Sequence, residues 1–272
     1  MSVPRDLSNQ RTFLIDLTKC TGCRACQVAC KQWNQMEAEK TTFFKGEGYQ
    51  NPATLSEHTL TTIQFKDYYH EGKNEFSFYK AMCMHCNDPA CVSVCPVSAF
   101  VKTPEGPVIY DTKRCIGCRF CMIACPFGIP RYQWSKALPL VVKCTGCYSR
   151  IKEGLKPACA KACPTAIQYG GRQEMVDEAK RRLDKNPGRY MNRIYGLEEA
   201  GGTSVLYLSA VPFDDIGFRN VTRRPLPSRT WAALRFVPAA FITMGGSLAF
   251  ISWLTHRKEK ITKEKEAKGE RS

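Results

Sequence analysis

Sixteen cysteines, all between Cys20 and Cys163, constrain this 272-residue chain more than any other feature. They form four groups: Cys20, Cys23, Cys26 and Cys30; Cys83, Cys86, Cys91 and Cys95; Cys115, Cys118, Cys121 and Cys125; and Cys144, Cys147, Cys159 and Cys163. The first and third groups read C-x2-C-x2-C-x3-C. The second and fourth widen the middle gap to four and eleven residues. Pro96, Pro126 and Pro164 follow the last cysteine of groups two to four, where group one has Lys31. An internal repeat of this kind organises the fold around itself.

Three thiolates at i, i+3 and i+6 wrap one loop around a corner of an iron–sulfur cube, and the fourth ligand comes from elsewhere. In the bacterial C-x2-C-x2-C-x3-C-P run the last cysteine ligates the other cluster of a two-cluster ferredoxin. Structural zinc uses two spaced pairs, which leaves a third cysteine surplus. Spacings of two or three residues, repeated four times, suit disulfides poorly. No group has the C-x3-C-x2-C spacing of radical S-adenosylmethionine chemistry. Pseudo-twofold ferredoxin domains exchange ligands between two groups. Adjacent groups two and three pair, leaving groups one and four for an outer domain. The expected sets are Cys20, Cys23, Cys26 and Cys163 (A); Cys144, Cys147, Cys159 and Cys30 (B); Cys83, Cys86, Cys91 and Cys125 (C); and Cys115, Cys118, Cys121 and Cys95 (D). With no ligand replaced, all four clusters are expected to be [4Fe–4S]. His85 is expected to hydrogen-bond or pack near a cluster rather than ligate iron.

The expected fold is α+β: two pseudo-twofold bacterial-ferredoxin-like domains with insertions, and one C-terminal transmembrane helix. Residues 1–82 hold a strand (Phe13–Leu17), the first group and an insertion with strands at Leu60–Phe65 and Phe76–Tyr79. Residues 83–130 form the inner domain, with a hairpin of Ser98–Lys102 and Pro107–Asp111 turning over Thr103–Gly106. Residues 131–170 bring the fourth group to complete the outer domain with 13–31, and Ala166–Tyr169 follows it as a strand. Residues 171–230 are an extension with a surface helix at Glu174–Lys185 and a strand at Thr203–Val211. A short helix is expected after the third cysteine of each x2–x2 run.

Residues 231–255 form the expected membrane helix. Phe236–Leu254 is 19 residues without a charge, about the length needed at ~1.5 Å per residue. Trp231 and Trp253 sit near its ends, Arg235 can snorkel, and Pro238 falls in the tolerant first turn. Gly245 and Gly246 leave room for a partner helix. The basic tail, 256–272, holds seven Lys/Arg against four in the twenty residues before Arg235. The positive-inside rule therefore places the tail in the cytoplasm and the cysteine domain outside, at the periplasmic face of the inner membrane. The segment Met1–Phe13 has no apolar h-region, so export is expected to depend on a signal-bearing partner.

Composition excludes several classes. A hydrophobic share of 43% fits a globular protein and argues against disorder or a polytopic membrane fold. The formal charge of +15 is spread along the chain, +8 in 1–170, +4 in 171–235 and +3 from Ser252. A nucleic-acid binder gathers it on one face, so no nucleic-acid partner is expected, and part of the excess is read as compensation for anionic clusters. There is no G-x-G-x-x-G, no P-loop and no clustered histidine. With every thiolate committed to iron, no catalytic residue is expected and the chain carries electrons for a partner. A membrane-tethered redox sensor is the competing class, and four clusters argue against it.

The chain resembles the iron–sulfur beta subunit of membrane-bound respiratory formate dehydrogenases, from about Phe13 to the tail. The likeness is carried by CTGCRACQVACKQWN at Cys20–Asn34, NPATLS at Asn51–Ser56, CMHCNDPACVSVCP at Cys83–Pro96, CIGCRFCMIACPFGIPR at Cys115–Arg131 and CPTAIQYG at Cys163–Gly170. VSVCPVSA at Val92–Ala99 and GGTSVLYLSAVP at Gly201–Pro212 are also similar to the matching subunit of membrane-bound uptake hydrogenases. Cys118 stands where nitrate reductase beta subunits have Trp, which disfavours that branch. The resemblance implies a molybdenum- or tungsten-pterin catalytic alpha subunit that oxidises formate. It also implies passage through clusters A, B, C and D, and a membrane cytochrome b-type gamma subunit, or an equivalent, that reduces quinone in anaerobic respiration. The alternative it leaves is the same role in an uptake hydrogenase or another pterin oxidoreductase. The span has no histidine between Phe236 and Leu254, so haem ligation falls to the partner.

Overall fold

The computed structural model describes residues 7–42, 49–70 and 73–267, which divide into two compact units, residues 1–227 and 228–272. The first is built on a three-stranded sheet. Its centre is β1 (Arg11–Asp16), antiparallel to β8 (Ile167–Gly171) and parallel to β9 (Val205–Leu208). Successive side chains of a strand point to opposite faces, and β1 is buried on both, as its apolar sequence FLID requires. Phe13 and Ile15 join Val205 and Tyr207 in a core that also contains Cys26, Cys30, Cys144 and Cys159. Leu14 joins Leu206 and Leu208 on the other face, where α6 (Arg172–Lys185) lays down Met175, Val176 and Ala179. The expected surface helix is thus the cover of the sheet's far side.

The cysteine groups sit on short helices and turns. α1 (Ala25–Trp33) and α5 (Ala158–Ala162) carry groups one and four and pack together. α2 (Ala90–Ser93) and α3 (Phe120–Ala124) carry groups two and three and do the same. Between α2 and α3 runs the expected hairpin, β4 (Phe100–Lys102) against β5 (Val108–Tyr110), with the Phe100 and Tyr110 rings stacked at 4.8 Å. Two small strands, β6 (Arg131–Tyr132) and β7 (Val141–Val142), precede α4 (Tyr148–Lys152). The insertion forms a longer hairpin than expected: β2 (Thr62–His70) and β3 (Lys73–Ala81). Phe65 and Phe78 face each other across it with centroids 4.9 Å apart. They lie so close to Gly22 that a Cβ there would be 3.2–3.3 Å from their rings, so the hairpin braces the first cysteine loop.

A buried carboxylate ties the sheet to that loop. Asp16 has no exposed surface, and it caps the 3-10 turn Leu17–Lys19 by accepting from Thr18 N at 3.1 Å. It also accepts from Arg182 at 2.8 Å and from the Tyr190 hydroxyl at 2.9 Å. Asp111 caps the equivalent turn, Thr112–Arg114, before Cys115.

The second unit comprises α7 (Pro227–Leu234) and α8 (Val237–Ala267). Within α8 the segment 237–265 has mean hydropathy 1.6 in its most apolar window, none of it buried, which makes it a candidate membrane span by length and composition. Phe241, Ile242, Leu248 and Ile251 are all exposed, and Thr243, Ser247 and Thr255 return their hydroxyls to helix carbonyls. The helix does not stop at Leu254. It continues to Ala267 because the tail is rich in Lys and Glu, which are good helix formers.

Removing one partner of a buried ion pair leaves the other uncompensated. Asp16→Ala is therefore expected to cost about 3–5 kcal/mol and to lower the thermal unfolding midpoint followed by circular dichroism. Asp111→Ala, at an exposed cap, should cost about 1 kcal/mol.

Candidate iron–sulfur site

In each group the backbone turns back before the second cysteine. Gly22, Gly117 and Gly146 hold left-handed φ of +66°, +68° and +68° there. The turn aims amides at sulfur: Gly117 N donates to Cys115 Sγ at 3.4 Å and Gly146 N to Cys144 Sγ at 3.3 Å. After the fourth cysteines, Ala99 N donates to Cys95 Sγ at 3.2 Å and Ala166 N to Cys163 Sγ at 3.3 Å. Arg24 and Arg119, both left-handed, cap α1 and α3 directly after the second cysteines of their groups.

The thiols converge across groups. One cavity is lined by Cys20, Cys23 and Cys26 together with Cys163 from the far end of group four. A second is lined by Cys115, Cys118 and Cys121 together with Cys95 from group two. Electrostatic neighbourhood extends the pattern. Cys30 and Cys147 both feel Cys159, and Cys144 feels Cys30 and Cys147. Cys86 feels Cys91, Cys83 and Cys125. The same electrostatic neighbourhood also crosses between sets: Cys26 with Cys159 and with Cys30, Cys144 with Cys83, and Cys91 with Cys121.

Burial pushes the Cys26 thiol up to about 11 and the Cys30, Cys91 and Cys121 thiols up to about 12. Thiols so placed stay protonated on their own and become thiolates only against a cationic partner. Four soft sulfur donors around a cavity, backbone amides aimed at sulfur and a desolvated setting fit an iron–sulfur cluster.

Sequence comparison gives the same chemistry. Residues 74–173 match the 4Fe-4S dicluster domain and residues 11–32 a 4Fe-4S binding domain. The nitrate-inducible formate dehydrogenase iron–sulfur subunit of Escherichia coli is 40% identical, over 75% of this chain and 69% of the relative. The chain belongs to the formate dehydrogenase iron–sulfur subunit family. The formate dehydrogenase-O iron–sulfur subunit of the same organism is 39% identical over 75% of this chain and 68% of its own length. The hydrogenase-2 operon protein HybA of E. coli O157:H7 is 36% identical, over 75% and 71%. This member of the family is an electron-transfer subunit rather than a catalytic one.

Residues of the Cys20–Asn34 and Asn51–Ser56 stretches that carry the family likeness have structural roles. Asn34 donates to Cys30 O at 2.7 Å and lies 3.6 Å from its sulfur. The Arg150 guanidinium of α4 sits 4.5 Å over the Trp33 ring, joining group one to group four. Gln27 donates to Asn51 O and accepts from Ile63 N, so the 51–56 segment and β2 are both anchored on α1.

Sequence reasoning missed two buried lysines, Lys80 and Lys143, and the half-buried Lys102. Lys80 is 2% exposed and donates to the Thr61 hydroxyl. Burial would push its ammonium down, but the charges of Cys159, Cys26, Cys30 and Cys144 outweigh it and hold it up. Lys102 donates to the carbonyl of His85 at 3.0 Å, and Lys143 to the carbonyls of Val108 and Cys144. None of the three makes an ion pair with a carboxylate among the described residues; burial pushes Lys102 down to about 7, and Lys80 is the one whose charge the cysteines hold up. Nothing in a local sequence window marks a strand lysine as buried.

Lys80→Met keeps the volume and removes the charge. At an effective dielectric near 20 a unit charge at this range is worth roughly 1–2 kcal/mol. The midpoint potentials of the clusters beside it are expected to fall by on the order of 50–100 mV in an electron paramagnetic resonance (EPR) titration, with iron content unchanged.

Proposed function

We propose that the chain carries four [4Fe–4S] clusters, on the sets Cys20, Cys23, Cys26 and Cys163; Cys30, Cys144, Cys147 and Cys159; Cys83, Cys86, Cys91 and Cys125; and Cys95, Cys115, Cys118 and Cys121. The observation that carries this is the exchange of one thiol between groups, Cys163 into the first cavity and Cys95 into the second. The flanking strands support a pseudo-twofold arrangement: β1 and β8 pair beside groups one and four, and β4 and β5 between groups two and three. The expected sequence divisions follow, with 13–31 and 131–170 forming the outer domain and 83–130 the inner.

When bound, such clusters supply one-electron transfer. The electrostatic neighbours across sets, Cys26 and Cys159, Cys144 and Cys83, and Cys91 and Cys121, support an order in which A would connect to B, B to C and C to D. We infer that electrons from formate oxidation at a molybdenum- or tungsten-pterin subunit enter at A. They leave at D for a membrane cytochrome b-type subunit that reduces quinone. The names of the formate dehydrogenase relatives favour that donor, and HybA favours the second reading, the same relay serving a hydrogenase. α8 would lie in the inner membrane beside the membrane subunit, with its basic end cytoplasmic and the cysteine domain periplasmic.

Iron and acid-labile sulfide analysis of the anaerobically purified complex, after subtraction of haem iron and of the clusters of the separated partner subunits, is expected to give sixteen of each for this chain. Cys163→Ala and Cys95→Ala should each reduce this by about four and abolish one EPR signal, the two signals differing. Markedly fewer than sixteen irons for this chain in the unmodified complex overturns the four-cluster reading. Protease added to intact spheroplasts is expected to digest the cysteine domain; a protected domain would reverse the sidedness. Pterin rather than nickel in the co-purifying catalytic subunit decides for formate dehydrogenase.

A further inference from the structure

The residue before the second cysteine is glycine in three groups and His85 in the other, and His85 also takes a left-handed φ of +49°. A residue with a Cβ pays roughly 1–2 kcal/mol for that conformation. A side chain kept there against such a cost points to a task for the ring. The imidazole is 1% exposed. Its backbone is fixed by Lys102 Nζ and Ser204 N, which donate to His85 O at 3.0 and 3.2 Å. Its Nδ1 accepts the Val108 N–H at 3.0 Å. With Nδ1 an acceptor, the proton of the ring is on Nε2. That atom is buried and has no protein partner, and a buried donor left unmet costs about 1–3 kcal/mol.

Nε2 faces the loop of group four. A Cβ built on Gly146 would lie 3.4 Å from it, and Gly146 stands between Cys144 and Cys147. His85 itself stands between Cys83 and Cys86 of the neighbouring set, so the ring bridges the step from the outer pair of clusters to the inner pair.

We propose that His85 donates its Nε2–H to a sulfur of the cluster held by Cys30, Cys144, Cys147 and Cys159, and thereby raises that cluster's reduction potential. The inference rests on the ligand sets given under Proposed function. A hydrogen bond to cluster sulfur favours the more negative, reduced state, and such bonds are among the determinants of cluster potential. His85 is a positioning and tuning residue, not a ligand.

The test uses the anaerobically purified complex. With ¹⁵N-histidine incorporated, pulsed EPR of the reduced unmodified complex is expected to show one weakly coupled histidine nitrogen. In His85→Leu that coupling disappears. One of four midpoints falls by the equivalent of about tenfold in its oxidised-to-reduced ratio, about 59 mV for a one-electron couple, and the other three move less. His85→Gln pays a similar backbone cost but places an amide N–H near Nε2, and should recover half or more of the shift. Absence of histidine coupling in the unmodified complex overturns the proposal, and this holds even if His85→Leu does not assemble. So does a His85→Leu complex with sixteen irons for this chain and four unmoved midpoints. Fewer than sixteen irons for this chain in the unmodified complex counts instead against the four-cluster reading.

Discussion

Burial of thiols is the condition on which the rest of the first unit depends. Cys26, Cys30, Cys144 and Cys159 occupy the same core as Phe13, Ile15, Val205 and Tyr207. The centre of this unit is therefore shared between side chains and the space that the cysteines surround. A sheet of three strands with one covering helix buries little apolar area for 227 residues. The remaining order comes from loops whose shape is set by where their sulfurs must point. Where metal sites of this kind form, binding free energy is folding free energy. The local devices, left-handed glycines, amides aimed at sulfur and aspartate-capped turns before Cys20 and Cys115, hold each loop in the conformation the metal needs.

The second constraint is charge. Thiolates gathered in a desolvated interior carry negative charge that water cannot reach. The structure answers with Lys80 and Lys143, each satisfied by hydroxyl or carbonyl oxygens rather than by carboxylates. A carboxylate partner would cancel the field that the lysine supplies. Oxygen acceptors satisfy the donors and leave the net charge in place. The spread of the +15 excess along the sequence is thus partly an interior feature, and it needs no basic surface patch to account for it.

What the sequence made legible was set by range. Ligand spacing is a short-range pattern, so the four groups, the β4–β5 hairpin and the strand entering Cys20 could all be read directly. The exchange of Cys163 and Cys95 between groups followed from repeat symmetry. The β2–β3 hairpin was harder, because KDYYH and KNE beside its turn carry many polar residues on a ribbon with a solvent face, and only its more apolar base looked like strand. The length of α8 was underestimated because a membrane span was sought by hydropathy, whereas the helix itself continues on the propensity of Lys and Glu. The buried lysines were invisible, since burial of a strand residue is decided by partners distant in sequence. His85 had a signal that only alignment of the four groups exposes: Gly22, Gly117 and Gly146 share its position, and a histidine there is out of pattern.

On the proposed relay, the two ends and the middle face opposite demands. Transfer to another protein requires thin cover, while transfer between clusters requires that water and solutes be kept out. The distribution of exposure meets both. Cys23, in the first set, is exposed. At the other end Ile116, Phe120 and Ile123 stand 65%, 54% and 83% exposed around the loop of Cys118 and Cys121. The step between the second and third sets, by contrast, is enclosed by Met84, His85 and Cys144, all buried. A potential adjusted at that enclosed step is set by fixed dipoles and charges, and bulk solvent contributes little to it. This is the place in the line where a single hydrogen bond has the least competition from water, and so the place where one histidine in a left-handed turn has the most effect.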